Sequence, residues 1–238
     1  MKNVIAVFQK ELRSYFNSPM AYIVIILFVG FANWLFFRSF FMANSASMRM
    51  YFSMLPWLFM VFAPLITMRL WAEEKKLNTL ELLMTMPLKD WEAVLGKFFS
   101  SLFLLVSMLV LSLPLAINVS SLGNMDWGPV IGGYLGAFLM GAAYLSIGLF
   151  ISSLTQNQII AAIISFFVCF GLWIVGESIV VFLAPASLVG LLEFIGLGSH
   201  FESIGRGVID SRDLIYYLTV IGFFLYLNVK GVESRKWA

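Results

Sequence analysis

Six apolar runs alternate with shorter polar segments along the chain. Each run is long enough to cross a hydrocarbon core of about 30 Å as an α-helix, and the first would span roughly 27 Å. The runs are Met20–Phe37, Leu55–Trp71, Phe98–Ile117, Val130–Ser152, Ile159–Leu183 and Leu214–Val229. The pattern predicts an all-α integral membrane protein with six transmembrane helices. The fifth is the least regular, because Glu177 falls near its end and Pro185 follows.

Composition agrees with this prediction. The chain is 61% hydrophobic and 12% charged, with a mean hydropathy of +0.93, whereas soluble domains carry roughly 25% charged residues. Its 238 residues indicate one transmembrane domain, residues 1–238. The net charge of +2 is too small to indicate a nucleic-acid partner. Cys169 is the sole cysteine, so no intrachain disulfide forms.

The distribution of positive charge predicts the orientation. If the N-terminus is inside, 11 of the 15 Lys and Arg residues face the cytoplasm and four face outward: Arg38, Arg49, Arg206 and Arg212. Cytoplasmic segments of membrane proteins carry the excess of such residues. We therefore expect both termini to be cytoplasmic.

Residues 1–19 have the pattern of an amphipathic helix lying in the membrane interface. Apolar residues recur at helical spacing, and polar residues fall on the other side. The apolar set is Val4, Ile5, Phe8, Leu12, Tyr15 and Phe16; the polar set is Asn3, Lys10, Arg13 and Asn17. The alternative is a basic flank that only orients the first span.

The fourth run contains small residues at the spacing that lets helices approach closely. Gly128, Gly132 and Gly136 are four residues apart, and Gly141 follows. In a membrane, such positions allow dispersion contacts between backbones. We expect them to pack helices within one subunit, with a subunit interface as the alternative.

Residues 184–213 form an extracytoplasmic segment that begins apolar and becomes polar near Gly196. Its apolar part is short for a membrane span, and both of its ends face outward in the predicted topology. We therefore predict a re-entrant or interfacial helical hairpin before the sixth span.

The charged segment, residues 72–97, lies between the second and third runs. It holds nine charged residues: Glu73, Glu74, Lys75, Lys76, Glu81, Lys89, Asp90, Glu92 and Lys97. Leu77, Leu80 and Met84 recur at helical spacing, Pro87 would end that helix, and Asp90 could cap the next. The segment is either a helical surface that contacts a cytoplasmic partner or a solvated loop.

Catalytic and nucleotide-binding motifs are missing from the sequence. Phe98 follows Gly96-Lys97, so no phosphate-binding P-loop is present. One histidine, His200, is too few for a multi-histidine metal site, and a weak metal pair with Glu202 is less favoured than a solvated loop. The centres of the spans lack ionisable residues, which disfavours proton-coupled transport. We expect no enzyme activity, metal or cofactor in this chain.

The charged segment resembles the coupling segment of ABC-2 type transporter permeases. The matching residues are Glu73-Glu74-Lys75, Asn78-Thr79-Leu80-Glu81-Leu82-Leu83, Pro87 and Gly96-Lys97, with Asn78 where the family more often has Gly. The resemblance implies that residues 1–19 form an elbow helix and that a cytoplasmic coupling helix contacts a separate ATPase, which binds ATP and Mg²⁺. The implied contact residues are Glu73, Glu74, Lys75, Lys76, Thr79, Glu81 and Pro87.

A second resemblance concerns the extracytoplasmic segment. Residues 199–210, followed by Asp213 and Tyr216-Tyr217, are similar to the gliding-motility-type branch of these permeases. Members of that branch work beside an ATPase and often beside an auxiliary membrane subunit with an extracytoplasmic domain. The resemblance places the chain in the plasma (inner) membrane.

Taken together, these features predict a permease that pairs with a second copy or a paralogue and exports an unidentified substrate. One alternative is a membrane scaffold that transmits the work of the ATPase to an extracytoplasmic partner without translocation. A less favoured alternative is an ATP-independent channel or carrier.

Overall fold

A computed structural model describes residues 2–43, 47–80, 88–207 and 210–233. The described residues form helices and turns and contain no β-strand. The helices are α1 (Lys2–Asn17), α2 (Met20–Ala43), α3 (Arg49–Lys76), α4 (Asp90–Leu122), α5 (Trp127–Leu154), α6 (Gln158–Ile174), α7 (Ser178–Leu183), α8 (Ala186–Ile195), α9 (Leu197–Gly205) and α10 (Ser211–Glu233).

Five of these helices, α2, α3, α4, α5 and α10, are long and apolar enough to cross a membrane. Helices α2, α3, α4 and α5 run alternately in opposite directions, and α10 runs in the same direction as α5, so the bundle has two ends. We call them the α1 end, where α3 finishes and α4 begins, and the α9 end, where α4 finishes and α10 begins. The prediction of an all-helical membrane protein is confirmed.

The predicted fifth span, Ile159–Leu183, is divided in the structure. Its helix, α6, has 17 residues and ends at Ile174. A turn over Val175–Glu177 separates it from the short α7. The backbones of Gly176 and Gly196 touch there: a Cβ on Gly176 would lie 2.8 Å from Gly196 Cα. The break thus coincides with a close contact between segments distant in sequence.

The core is built around α5. In the most apolar 18-residue stretch of α5, 83% of the residues are buried, whereas the corresponding stretches of α2 and α10 are 28% and 17% buried. Phe52 of α3 packs so closely on Gly133 that a Cβ there would lie 2.5 Å from its ring. The largely exposed α2 and α10 carry apolar side chains outward, as expected for helices that face lipid.

Helices α8 and α9 lie within the predicted extracytoplasmic segment, residues 184–213, and the short α7 precedes it. The turn at Gly196 joins α8 to α9, and α9 packs across the start of α5. The segment is therefore helical, as expected; its depth in the membrane stays a prediction.

Candidate functional site

A fully buried lysine lies where α1, α3 and α4 meet. The Lys97 side chain has no exposed surface, and its ammonium is 2.8 Å from Glu11 Oε1 on α1 and 2.9 Å from Glu74 Oε1 on α3. It also donates to the backbone carbonyl of Leu70, at 2.7 Å. The contact with Glu74 is an ion pair, and the other two contacts are hydrogen bonds. One cation therefore joins three helices.

Lys10 completes a charge cluster consisting of Lys10, Glu11, Glu74 and Lys97. The Lys10 ammonium is 2.6 Å from Glu74 Oε1 and 3.3 Å from Glu11 Oε1, and 55% of its side chain is exposed. Two cations balance two anions, so the cluster is neutral. Lys10 therefore closes the cluster on its solvent side.

Electrostatics favour the charged forms of this cluster. Burial alone would raise the pKa of Glu11, but the charges of Lys97 and Lys10 outweigh it and hold that pKa below its ordinary value. Burial alone would lower the pKa of Lys10, but Glu11 and Glu74 hold it above its ordinary value. Glu11 and Lys10 thus remain ionised at neutral pH.

An aromatic ring also supports Lys97. The Trp71 ring centroid is 4.7 Å from the Lys97 ammonium, and Trp71 is itself fully buried. The face of an indole attracts a cation, most strongly where water is excluded. Removing either carboxylate would leave Lys97 with an uncompensated part of its charge in a dry site.

A glycine allows α1 to reach this position. A Cβ on Gly96 would lie 2.6 Å from Val7 Cβ and 3.1 Å from the Val4 carbonyl oxygen. Side chains do not approach at such distances, so α1 docks on α4 only because residue 96 is glycine. The pair Gly96-Lys97 thus provides a close helix contact and the cation beside it.

A second set of contacts ties α1 to α3. The Tyr15 hydroxyl donates to the Ile66 carbonyl at 2.7 Å. The Arg69 guanidinium lies 4.5 Å from the centre of the Tyr15 ring and donates to the Ser14 and Ser18 hydroxyls. The end of α3 is therefore held to α1 along more than one helical turn.

Helix α5 holds the opposite side of α3. The Ser152 hydroxyl accepts from the backbone N–H groups of Trp71 and Ala72, each at 3.2 Å, and donates to the Met68 carbonyl. The buried Lys75 ammonium donates to the Ser153 carbonyl. The end of α3 that leads into the charged segment is thus fixed to α1, α4 and α5.

A comparison with protein families covers the four residues of the charge cluster. The family model described as ABC-2 family transporter protein matches residues 9–195. The chain belongs to the ABC-2 transporter family. A search of curated proteins found no match. The family is the multi-pass membrane component of ABC transporters and is not itself the ATPase. The family-level resemblance of the charged segment is confirmed, and the gliding-motility branch stays a prediction.

The structure divides the predicted ATPase-contact residues of this ABC-2 protein into two groups. Glu74 belongs to the charge cluster, and Lys75 is buried against Ser153. Glu73 is half-buried, and Lys76 and Thr79 are exposed. Glu81 and Pro87 lie outside the described residues.

Asn78 occupies a backbone conformation that accounts for its place in the motif. Its φ is +55°, in the left-handed region, two residues after the end of α3. Glycine adopts this region without strain, and asparagine tolerates it better than most residues. The same left-handed conformation explains why Gly is more frequent at this position in the family that the charged segment resembles.

The predicted packing glycines lie against different neighbours. A Cβ on Gly132 would be 2.5 Å from the Ile204 carbonyl oxygen, and one on Gly136 would be 3.2 Å from an Ile204 methyl, so both face α9. Gly141 faces Leu105 of α4. Gly128 is exposed, and a Cβ there would meet only Asp126, at 3.4 Å. Three of the four therefore lie at contacts within the subunit.

Sequence reasoning missed Glu11 and placed the helix cap one residue late. Glu11 follows Val4 and Val7 at helical spacing and precedes Tyr15, so its place on the docking face was visible in the pattern. The N-cap of α4 is Lys89, whose N–H donates to Glu92, and Asp90 is the first helical residue. Glu92 also accepts from Asn3, which adds an α1 contact.

The single histidine lies at the α9 end and pairs differently from the weak pair considered in the sequence. His200 Nδ1 is 2.6 Å from Asp213 Oδ1, and its Nε2 is 3.1 Å from the Phe194 carbonyl oxygen. Its ring stacks on Tyr216, with centroids 3.9 Å apart. Glu202 pairs with Arg206 instead. His200 therefore joins α8 to the start of α10.

Proposed function

We propose that this ABC-2 protein is the permease subunit of an ATP-driven exporter. In this proposal it pairs with a second copy or a paralogue in the plasma membrane, and separate cytosolic ATPase subunits bind ATP and Mg²⁺. The α1 end faces the cytoplasm, so α1 is the elbow helix and the charged segment contains the coupling helix.

The observation that carries the proposal is the three-helix junction at Lys97. A push on the charged segment acts on the end of α3 and the start of α4, and Lys97 joins both to α1. Because the Lys97 ammonium is buried and contacts all three helices, we expect the three helix ends to move together. This coupling supports a subunit in which a cytoplasmic partner tilts the spans.

The path of α6 supports six spans. It begins at the α1 end, just after α5, and its last turn lies beside Gly198 of α9. Its 17 residues span roughly 26 Å, at the lower limit for a transmembrane helix. With α6 as the fifth span, both termini lie on the cytoplasmic side.

The proposed contact surface follows from which side chains are accessible. Lys76, at the end of α3, and Thr79, just after it, are exposed, and Glu73 is half-buried; Glu81 and Pro87 follow in sequence, outside the described residues. Glu74 belongs to the charge cluster and Lys75 is buried against α5, so both link the surface to the bundle. Lys76 is therefore the residue at which to test the ATPase contact, because reversing the charge of the buried Lys75 would disturb the interior of the helix bundle.

Purification of the tagged protein in mild detergent, with identification of the copurifying chains, tests the proposal. We expect an ATPase with a P-loop to copurify with the wild type and to be largely lost with Lys76→Glu. Lys230→Glu is the matched control: Lys230 is also an exposed cation at the α1 end, and its pair with Glu233 is a surface pair of small energetic value. The control should retain the ATPase.

Other results would contradict the proposal. A protein that purifies alone and transports without nucleotide is a channel or carrier. An ATPase that copurifies with a periplasmic-domain subunit, without any translocation in reconstituted vesicles, identifies the force-transmitting scaffold.

A further inference from the structure

A cavity of about 560 Å³ lies among the ends of α3, α6 and α9 at the α9 end of the bundle. Helix α3 and helix α9 form two sides, and the turn after α6 forms the third. Its charged lining residues are Arg49, Glu177, Glu202 and Arg206, and its aromatic ones include Trp173 and Phe201. The cavity thus combines separated charges with aromatic walls.

The four charges sum to zero, but only two of them are paired with each other. Glu202 and Arg206 form an ion pair at 2.5 Å. Within the described part of the chain, neither the Glu177 carboxylate nor the Arg49 guanidinium makes a hydrogen bond or an ion pair. The cavity therefore presents one unpaired anion and one unpaired cation.

Glu177 lies beside an indole in a preformed arrangement. Because Gly198 has no side chain, Trp173 Nε1 and Glu177 Oε1 both lie within 3.2 Å of the point that a Cβ would occupy. Trp57 braces the Trp173 ring, with centroids 4.4 Å apart. The contact between Gly176 and Gly196 fixes the turn that carries Glu177.

Among the described residues, no cation lies within ion-pair distance of the Glu177 carboxylate. Burial, and then the negative charge of Glu202, raises the pKa of Glu177 above its ordinary value. A carboxylate next to an aromatic ring is the arrangement that recognises an ammonium group, through charge and through the ring face. A bound ammonium would supply the missing charge.

Arg49 provides the complementary recognition. A guanidinium presents a planar fork of donors that matches the oxygens of a phosphate. A ligand with only one sign of charge would leave Arg49 or Glu177 unpaired and would give the neutral cavity a net charge. A zwitterion satisfies both groups at once.

We propose that this cavity binds a zwitterion carrying an ammonium and a phosphate, with the ammonium at Glu177 and Trp173 and the phosphate at Arg49. The headgroup of a phosphoethanolamine lipid and the same headgroup as a free solute present this chemistry. The site needs no ATPase, so it stands or falls independently of the proposed transport function.

Calorimetric titration of the purified, detergent-solubilised protein tests the site. The probes are dihexanoyl phosphatidylethanolamine, dihexanoyl phosphatidylglycerol, which lacks the ammonium, and hexyltrimethylammonium, which lacks the phosphate. We expect the first to bind at least about tenfold more tightly than the others, the size of effect that one charged hydrogen bond gives. Glycerophosphoethanolamine, which lacks acyl chains, separates the two sources: equal affinity indicates a free solute, and weaker binding indicates a lipid.

Three variants assign the binding to the cavity. Glu177→Gln and Arg49→Gln should each weaken binding of the zwitterion about tenfold. Glu193→Gln, at an exposed carboxylate of α8 outside the cavity, should leave it unchanged. A melting temperature for each variant establishes that it is folded, and the selectivity of the wild type among the probes tests the proposal even if a variant does not fold.

Three results would overturn the proposal. One is the absence of saturable binding to the folded wild type. Another is undiminished affinity in both Glu177→Gln and Arg49→Gln. The third is a change of oligomeric mass in these variants without ligand, which would show that a second copy of the chain covers the cavity.

Discussion

The groups around Lys97 compensate its buried charge and allow it to link three helices. A lysine ammonium in a dry interior is costly unless acceptors surround it. Here two carboxylates and a carbonyl oxygen surround the ammonium, and an indole lies beside it. The charge is therefore compensated in place, and the side chain acts as a fixed joint between helices.

We predict that Lys97→Met lowers the free energy of unfolding by about 3–5 kcal/mol, because Glu11 and Glu74 lose their buried counter-charge. Adding Glu11→Gln to this variant should recover part of the loss, since Lys10 alone then balances the single remaining carboxylate, Glu74. Thermal unfolding in detergent measures both changes. If the double variant is no more stable than the single one, the ion pair is not the source of the stability.

At the scale of single residues, the sequence indicated Lys97 and the helix that contacts it, but not the ion pair between them. Gly96-Lys97 stood out as a motif, and a helix carrying Glu11 was expected. The pairing itself could not be predicted, because Glu11 and Lys97 are 86 positions apart and meet only through tertiary packing. The same limit applies to His200, whose partner, Asp213, depends on the path of α8 and α9.

Among the elements, the contact between α1 and α4 depends on a position without a side chain. Gly96→Ala places a methyl group 2.6 Å from Val7 Cβ, so α1 must move away. We predict that it loosens α1, measured as faster hydrogen exchange of residues 2–17. Gly30→Ala is the matched control: Gly30 lies in the apolar helix α2, and a Cβ there meets nothing within 4 Å.

An unchanged exchange rate in Gly96→Ala would mean that α1 is not held by this contact. Faster exchange in both variants would point to a general loss of stability. Faster exchange of residues 2–17 in Gly96→Ala, with no change in Gly30→Ala, would support the role of Gly96 in docking α1.

Element types were more predictable than element ends. Hydrophobic length predicted the long helices and the amphipathic α1, because both signals are local to the chain. The division of the predicted fifth span was not visible, since it coincides with the contact of Gly176 with Gly196, twenty residues away. An apolar run indicates that a segment can be helical but does not show where another backbone crosses it.

On the scale of the whole molecule, the distribution of Lys and Arg predicts which end faces the cytoplasm. We expect Asn124→Cys, in the exposed turn at the α9 end, to react with a membrane-impermeant maleimide on intact cells. Lys76→Cys, exposed at the α1 end, should react only after permeabilisation. Cys169 is fully buried and gives little background. The reverse labelling pattern would invert the topology.

The length of α4 has a mechanical consequence. At 33 residues it is about 50 Å long, roughly 20 Å more than the hydrocarbon core. In the proposed mechanism it would serve as a lever arm, with the Lys97 joint near one end and Leu122 at the other. Torque applied at Asp90 would then become displacement at the opposite face. The bending stiffness of the lever is lowest near Pro114, where the missing N–H removes one backbone hydrogen bond.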